Sequence, residues 1–439
     1  MVEFLDKIKS LLGDEFETFL KFYNEDNFRG IRVNTLKCTV DKLKRLMDFE
    51  MINTPFCNEG FYLPKEVESI GNNPMHHAGA FYVQEPSATS AVTMLDVQKG
   101  DKVLDLCSAP GGKSTQIAAA LDGKGVLFSN EIVKNRALIL LSNIERIGVK
   151  NAVVLNCHPD VLCNKLYGYF DKVLVDAPCS GEGMFRKNDN SKTEWSQEHV
   201  VSCGKRQLQI LNSAKHALKE NGVLVYSTCT FSKEENEDVI TAFLKENPDF
   251  VLEDSNVTFG RATLNYARRI FPMDGGEGHF SARLRKISQI GCCKEISFKE
   301  NKIPDDVKKF YKDTFVNSSL GSNMELIGDK IYMVPDSLPD LKGLNIIRKG
   351  VLLGEIKGKR FEPHHSAFMA CKKEEIKNTV DFSINSDQIK KFLHGEEIAV
   401  DTSLKGYTGV CVEGVVTGFG KVSNGNLKNK YPKGLRTIK

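Results

Sequence analysis

Two cysteines, Cys179 and Cys229, each close a short apolar run and open onto a turn, in KVLVDAPCSGEG and GVLVYSTCT. In open α/β sheets ligands gather outside the carboxyl ends of the strands. Two neighbouring strands ending this way aim two thiols into one crevice, and a thiolate there is a nucleophile. Free cysteine is often simply buried, but an Ala-Pro-Cys-Ser-Gly corner exposes what it carries. A third segment, DLCSAPGGKST, has the tail of a phosphate loop without its spacing: a Walker loop needs glycine where Cys107 stands. A GxGxxG fingerprint is missing as well. What remains is a strand, a tight loop with Gly111 and Gly112, and a helix from Ser114, so backbone can approach a ligand at a helix N-terminus. Further on, Glu131 ends the next strand, where an acid can accept hydrogen bonds from a ribose. Together these mark a nucleoside cofactor.

The elements that carry these residues belong to a parallel α/β sheet. From about Asp101, the runs KVLDL, GVLFS, NAVVLN, KVLVD and GVLVYS alternate with helical patterns, clearest over Lys134 to Ile147 and Lys205 to Glu220. HFSARLRKI reads as the last strand, after a glycine-rich PMDGGEG loop. Residues 1 to about 70 read as two helical stretches around a strand-like RGIRVNTL. Beyond a linker near Ser297 to Pro304, KGVLLGEI, EIAVD, GVCVEG and VVTGFGKV are short strands of a small β-rich module. At 439 residues, 41% hydrophobic and 27% charged, the chain is an ordinary globular protein. It has neither a signal peptide nor an apolar run of about 18 residues, so no membrane span is expected. Twelve cysteines without secretory context predict reduced thiols in a cytoplasm. No CxxC spacing occurs, and neither CHPDVLC nor Cys292-Cys293 fits a zinc pattern, so no metal is expected. The net charge of +3 is unevenly spread. From Lys421 to the end, Lys421, Lys428, Lys430, Lys433, Arg436 and Lys439 meet no acid, and Arg348, Lys349, Lys357 and Lys359 outnumber Glu355 in a second stretch. With Phe361, Phe419 and Tyr431 interleaved, these predict a nucleic-acid surface.

The segments DLCSAPGGKSTQIA, DAPCSGEGMFRK and YSTCTFSKEENEDVI resemble, in order, motifs of the RNA 5-methylcytidine methyltransferases of the Nop2/Sun/Fmu (RsmB/NOP) group, which use S-adenosylmethionine. The flanks resemble its RsmF-like branch, which acts on 16S ribosomal RNA. The resemblance implies a Rossmann-like class I methyltransferase core, a mainly parallel seven-stranded sheet over residues 72–290. It also implies an N-terminal RNA-binding segment over 1–71 and a PUA-like RNA-binding region over 291–439. It places the cofactor against Cys107, Ser108, Ala109, Pro110, Gly111, Gly112 and Lys113, with Glu131 on the ribose, Arg136 at the rim, and Asp176 facing both cofactor and base. At the adenine, His158 stands where the family usually has aspartate, with Asp160 as a substitute. The resemblance makes Cys229 the nucleophile and Cys179 the second cysteine, which helps product release. Addition of the Cys229 thiolate to the sixth carbon of cytosine would make the fifth carbon nucleophilic, with Lys113 or Arg136 favouring the thiolate. Asp176, kept protonated or sharing a proton with the base, would supply a hydrogen bond to the third ring nitrogen, a role that requires an upward-shifted carboxyl pKa. The target base must leave its stack; Met184 and Phe185 are candidates to help, and Arg186 and Lys187 to hold a phosphate. The expected partner is 16S rRNA or the 30S subunit, with no membrane and no protein partner. The alternatives are a transfer-RNA 5-methylcytidine methyltransferase and a catalytically silent ribosome-assembly factor.

Overall fold

The apolar runs are strands buried on both faces, as parallel strands must be. The computed structural model describes residues 2–187, 189–288, 291, 293–297, 302–316, 323–358 and 360–437. Cys292, Lys359, Lys439 and most of the expected linker before Pro304 lie outside the described residues. Seven core strands are β1 (Lys102–Asp105), β2 (Val126–Asn130), β3 (Ala152–Leu155), β4 (Phe170–Asp176), β5 (Leu218–Thr228), β6 (Ala267–Ile270) and β7 (His279–Lys286). They lie side by side as β3, β2, β1, β4, β5, β7, β6. β1 to β5 are parallel, and β7 runs antiparallel to β5. The sheet has ten strands rather than seven. Arg261–Thr263 extends it beyond β6, Phe250–Leu252 pairs with β7, and Ile346–Lys349, from the C-terminal region, pairs with β3. Such additions cover edges that would otherwise be left unpaired.

Helices cover both faces. Helices Gln197–Ala217 and Glu237–Glu246 bury Leu211, Ala214, Val239 and Phe243 against Val173, Val175, Leu224 and Tyr226. On the opposite face, helices Gly112–Leu121 and Lys134–Ile147 bury Ile117, Leu121, Leu140 and Ile144 against Val103, Leu127 and Val154. The helix expected to run to Glu220 stops at Ala217, because Leu218 already pairs with Phe170 as the start of β5.

Residues before the core form helices Val2–Leu12 and Phe16–Tyr23 and the sheet Gly60–Tyr62, Gly30–Val33, Phe81–Val83. The C-terminal region holds a four-stranded and a five-stranded sheet. The N-terminal sheet shares one apolar cluster with the latter, through Ile31, Phe61 and Phe81 against Ile389, Phe392 and Val410. Lys37 closes the junction. Its Nζ donates to the carbonyls of Ala78 (2.9 Å) and Val416 (3.2 Å), and burial pulls its pKa down to about 7.

Phe419 and Tyr431, expected on a nucleic-acid surface, are core residues. Phe419 stacks on Phe368 with 4.2 Å between centroids, and Tyr431 packs against His365 and Phe392. Phe361 packs its ring on Phe310. Burying these rings is worth more than exposing them, since each aromatic pair adds about 0.5–1.5 kcal/mol beyond area. The second basic stretch is largely neutralised: Arg348 pairs with Glu145, Lys349 with Glu325, and Lys357 with Glu362. Lys421, Lys428, Lys430 and Lys433 remain exposed.

Candidate active site

Asp176 and Thr228 end the adjacent strands β4 and β5, so the turns that follow bring Cys179 and Cys229 together with their sulfurs 3.3 Å apart. Both are half-buried. Their turns are held by two buried carboxylates that the motif reading passed over. Glu235 accepts from the Ser180 backbone N–H (3.0 Å), the Ser180 hydroxyl and Gln207 Nε2 (2.8 Å). Glu182 accepts from Thr230 Oγ1 (2.8 Å), the Phe231 N–H (2.9 Å) and Trp195 Nε1 (2.9 Å). Each acid thus joins one cysteine's turn to residues beyond the other cysteine. Gly183 completes the contact: its N–H donates to the Cys229 carbonyl (2.9 Å), and a Cβ there would sit 2.9 Å from the carbonyls of Cys229 and Gly278. The contact of Cys179 with Cys229, then burial, raise the Cys179 pKa well above the usual thiol value, so Cys179 keeps its proton.

On the other side of β4 lies the glycine loop. Gly111 adopts φ +114, where a side chain would be strained, and a Cβ would press on Leu140. Ser108 is pinned by its hydroxyl, 2.8 Å from the carbonyls of both Asp105 and Asn130. Asn130 ties three strand ends, donating to Leu106 and Cys157 carbonyls and accepting the Cys157 N–H. The Ala109 and Pro110 carbonyls are held by Arg136 Nη2 (3.0 Å) and Asn143 Nδ2 (2.9 Å). Arg136 also pairs with Glu131 at 3.3 Å, which engages it at the loop instead of at the sulfurs. Glu131 is 3% exposed and accepts the Val133 N–H (2.9 Å). Asp105 was not singled out beforehand, although an acid ending the first strand was the signal. It is fully buried with Oδ1 unpartnered, and burial lifts it to about 7 against the pull of the Ser114 hydroxyl. Asp176 and Glu131 push Asp105 further up, and all three acids raise the Cys107 thiol, after burial. A sulfonium and an ammonium are the charges such a pocket suits. His158 is exposed and caps helix Pro159–Lys165, its Nδ1 accepting the Asp160 N–H at 3.3 Å.

Asp176 overturns one expectation. Burial would raise its carboxyl, but Lys113 Nζ at 2.8 Å, with His279 and the Ser227 hydroxyl (2.8 Å), outweighs burial and holds it below the usual carboxylate range. It is a carboxylate, not an acid with a proton to give. Lys113 keeps its charge for the same reason, since Asp176 outweighs its burial, and Cys229 lies within its field. Two further guesses resolve as packing. Phe185 is buried among Phe4, Phe19, Phe231 and Phe271, so the first two helices lock onto the catalytic turns. Arg186 is held by Glu25 and Asp26 carbonyls beside Glu277 rather than by a phosphate.

Strand order, glycine loop and buried acids define an S-adenosylmethionine-dependent methyltransferase, here with paired cysteines at the far side of its pocket. Residues 92–285 match the model of the 16S rRNA methyltransferase RsmB/F family. Residues 2–86 match the N-terminal domain of 16S rRNA methyltransferase RsmF, 309–370 its first C-terminal domain, and 379–437 its PUA domain. The chain is 32% identical to a ribosomal RNA small subunit methyltransferase F of Vibrio vulnificus, over 98% of this chain and 96% of that one. It is 33% identical to one from Aliivibrio fischeri, over 97% of each. A solved methyltransferase homologue from Pyrococcus horikoshii superposes with a TM-score of 0.57 at 31% identity, covering 64% of this chain and 94% of that one. The chain belongs to the RsmB/F family of rRNA methyltransferases.

Proposed function

We propose that the protein methylates the fifth carbon of a cytidine in 16S ribosomal RNA, with Cys229 as nucleophile and Cys179 as the group that releases the product. The observation that carries this is the pair of sulfurs 3.3 Å apart beside the Lys113–Asp176 pair. The loop from Ser108 to Lys113 and the buried Glu131 would hold S-adenosylmethionine, which would supply an electrophilic methyl group. The Cys229 thiolate adds to C6 of the flipped cytosine, and the displaced electron pair moves into the ring toward N3 and C5. Lys113 meets the developing negative charge, and Asp176 accepts from the base's amino group. Cytosine N3 carries no proton, so the one it gains on addition comes from the Lys113 ammonium held by Asp176, and it returns to Lys113 when methyl transfer restores the C4–N3 double bond. Once C5 carries the methyl group, its hydrogen must leave as a proton while the C6–S bond breaks. The Cys179 thiol passes its proton to the departing Cys229 sulfur, and the resulting Cys179 thiolate, with its high proton affinity, takes the C5 proton. The surplus proton then returns to solvent, and Cys229 is again a thiolate. This cycle needs both cysteines reduced, which a cytoplasm provides.

The relatives' names supply the substrate class, and the exposed lysines of the C-terminal module supply phosphate contacts. Labelled methyl transfer to 16S rRNA, free and within the 30S subunit, tests the reading. Label should appear in 5-methylcytidine and vanish in Cys229→Ser; label in any other nucleoside, or persisting in that variant, would refute it.

A further inference from the structure

One buried titratable side chain has so far been met only as an electrostatic neighbour of Asp176. His279 opens β7 and is 3% exposed, yet neither ring nitrogen has a hydrogen-bond partner among the described residues. The neighbouring Gly278 backbone favours the protonated ring, but burial outweighs it. An unpartnered polar group at this depth is costly, and one kept there calls for a ligand.

The strand register fixes where it points. Phe280 pairs with Thr228, so His279 stands one step further along, across from Cys229. Ser281 pairs with Ser227, and Ser227 with Asp176. Cross-strand partners share a face, as do residues two apart on a strand. His279, Ser281, Ser227 and Asp176 therefore face the same way, and Ser227 and Asp176 are indeed bonded. Across the sheet the order is β2 with Glu131, β1 with the glycine loop, β4 with Asp176, β5 with Cys229, and β7 with His279. The cofactor's residues occupy one end of that row, and His279 the other. Its loop is braced: Gly276 abuts Ser87, and Gly278, at φ +145, abuts Phe231 and Gly183. Burial, then Lys113, hold the ring neutral at a pKa of about 4, so one nitrogen donates and the other accepts.

We propose that His279 touches the target base, its imidazole hydrogen-bonding the polar edge of the pyrimidine lodged between Cys229 and Asp176. This rests on the reading of the site as a cytidine methyltransferase.

The assay compares His279→Phe with His279→Gln, which keeps a donor and an acceptor, in single-turnover methylation of 16S rRNA. Phenylalanine should slow the step about 10- to 100-fold, the range of one to two decades for a lost hydrogen-bond pair to a base. Glutamine should recover most of that, and S-adenosylmethionine affinity should stay within about two-fold in both, since the cofactor lies at the other end of the row. A second measurement uses the unsubstituted protein, so that folding of a variant is not at issue. The ring ¹⁵N resonances of His279 should shift when RNA carrying 5-fluorocytidine is trapped, and stay put on adding S-adenosylmethionine alone. Full activity in the phenylalanine variant, or resonances that follow the cofactor, would overturn the assignment. Absence of methylation by the unsubstituted enzyme would instead overturn the underlying function.

Discussion

Replacing Cys179 by serine should separate the two sulfur roles. The hydroxyl is of similar size, so Cys229 can still reach C6, but a serine neither carries a proton easily lost nor returns as a base near neutral pH. Bond formation and methyl transfer should proceed at close to the normal rate in the first turnover. Elimination should stall, because the proton that lies between sulfurs 3.3 Å apart has no route to the leaving group. Removing a positioned acid–base group costs about 10²–10⁴-fold, so steady-state turnover should fall by that factor. The adduct should meanwhile rise toward one RNA per enzyme. Denaturing gels with 16S rRNA and labelled methyl donor read this directly, as a slow band carrying label. Cys229→Ser should give neither band nor product. The reasoning fails if Cys179→Ser turns over within about ten-fold of the unsubstituted enzyme. It fails equally if both variants lose activity without any band, which would mean the sulfurs act as one structural unit.

Glu235→Ala should cost about 2–6 kcal/mol, because it leaves the Ser180 N–H and one N–H of Gln207 Nε2 unpaired, each worth about 1–3 kcal/mol when buried, while the Ser180 hydroxyl keeps Thr230 and Gln207 keeps the Pro178 carbonyl. Urea unfolding reads the loss, and a drop in turnover with unchanged cofactor affinity would mark the residue as positioning Cys179. Acid should destabilise the fold well above the carboxylate range. His76 and His365 are pushed down to about 3 and His279 to about 4, chiefly by burial. Below their ordinary pKa near 6.5 the unfolded chain takes up protons that the native state refuses, so stability present above that pH is lost as pH falls toward those values. Asp105, lifted to about 7, works the other way, since the native state binds its proton first. For these four groups the balance is about two protons, on the order of 3 kcal/mol per pH unit between pH 6 and 5; a flat profile from urea titrations would reject it. Finally, changing Lys421, Lys428, Lys430 and Lys433 to alanine should weaken RNA binding more at low salt and reduce the log–log salt slope by up to about 3. A salt-independent loss would mean these lysines touch no phosphate. Point changes are required here, because cutting the chain at Lys421 would remove the strand Asn426–Asn429 and buried Tyr431.

Sequence legibility followed the range of the forces involved. The strand endings at Asp176 and Thr228 could be read locally, since an apolar run met by Pro-Cys or Thr-Cys has little choice but to turn. The left-handed Gly111 was equally local. Glu182 and Glu235 were invisible as clamps, because their partners are brought to them by strands β4 and β5, and a GEG or KEEN segment looks solvated in isolation. His279 looked like any first residue of a strand. The interleaved aromatics misled for the opposite reason: Phe419 and Tyr431 sit among lysines in sequence, but partners distant in the chain, Phe368 for the first and His365 with Phe392 for the second, draw the rings into the core. Asp176 misled through burial alone, a term that Lys113, from a different helix, outweighs.

The arrangement explains why the catalytic turns need so much support. Two thiols brought to 3.3 Å repel if both lose their protons, so their separation must be imposed from outside. The sheet sets it coarsely, because β4 and β5 are hydrogen-bonded neighbours. Glu235 and Glu182 set it finely from below, and the ring cluster of Phe4, Phe19, Phe185, Phe231 and Phe271 closes over the same turns. The N-terminal helices thus brace the two cysteine turns. Loosening them, for example with Phe4→Ala, should slow turnover while leaving cofactor binding intact, because the glycine loop is held by Asn130, Asn143 and Arg136 on the opposite side of β4.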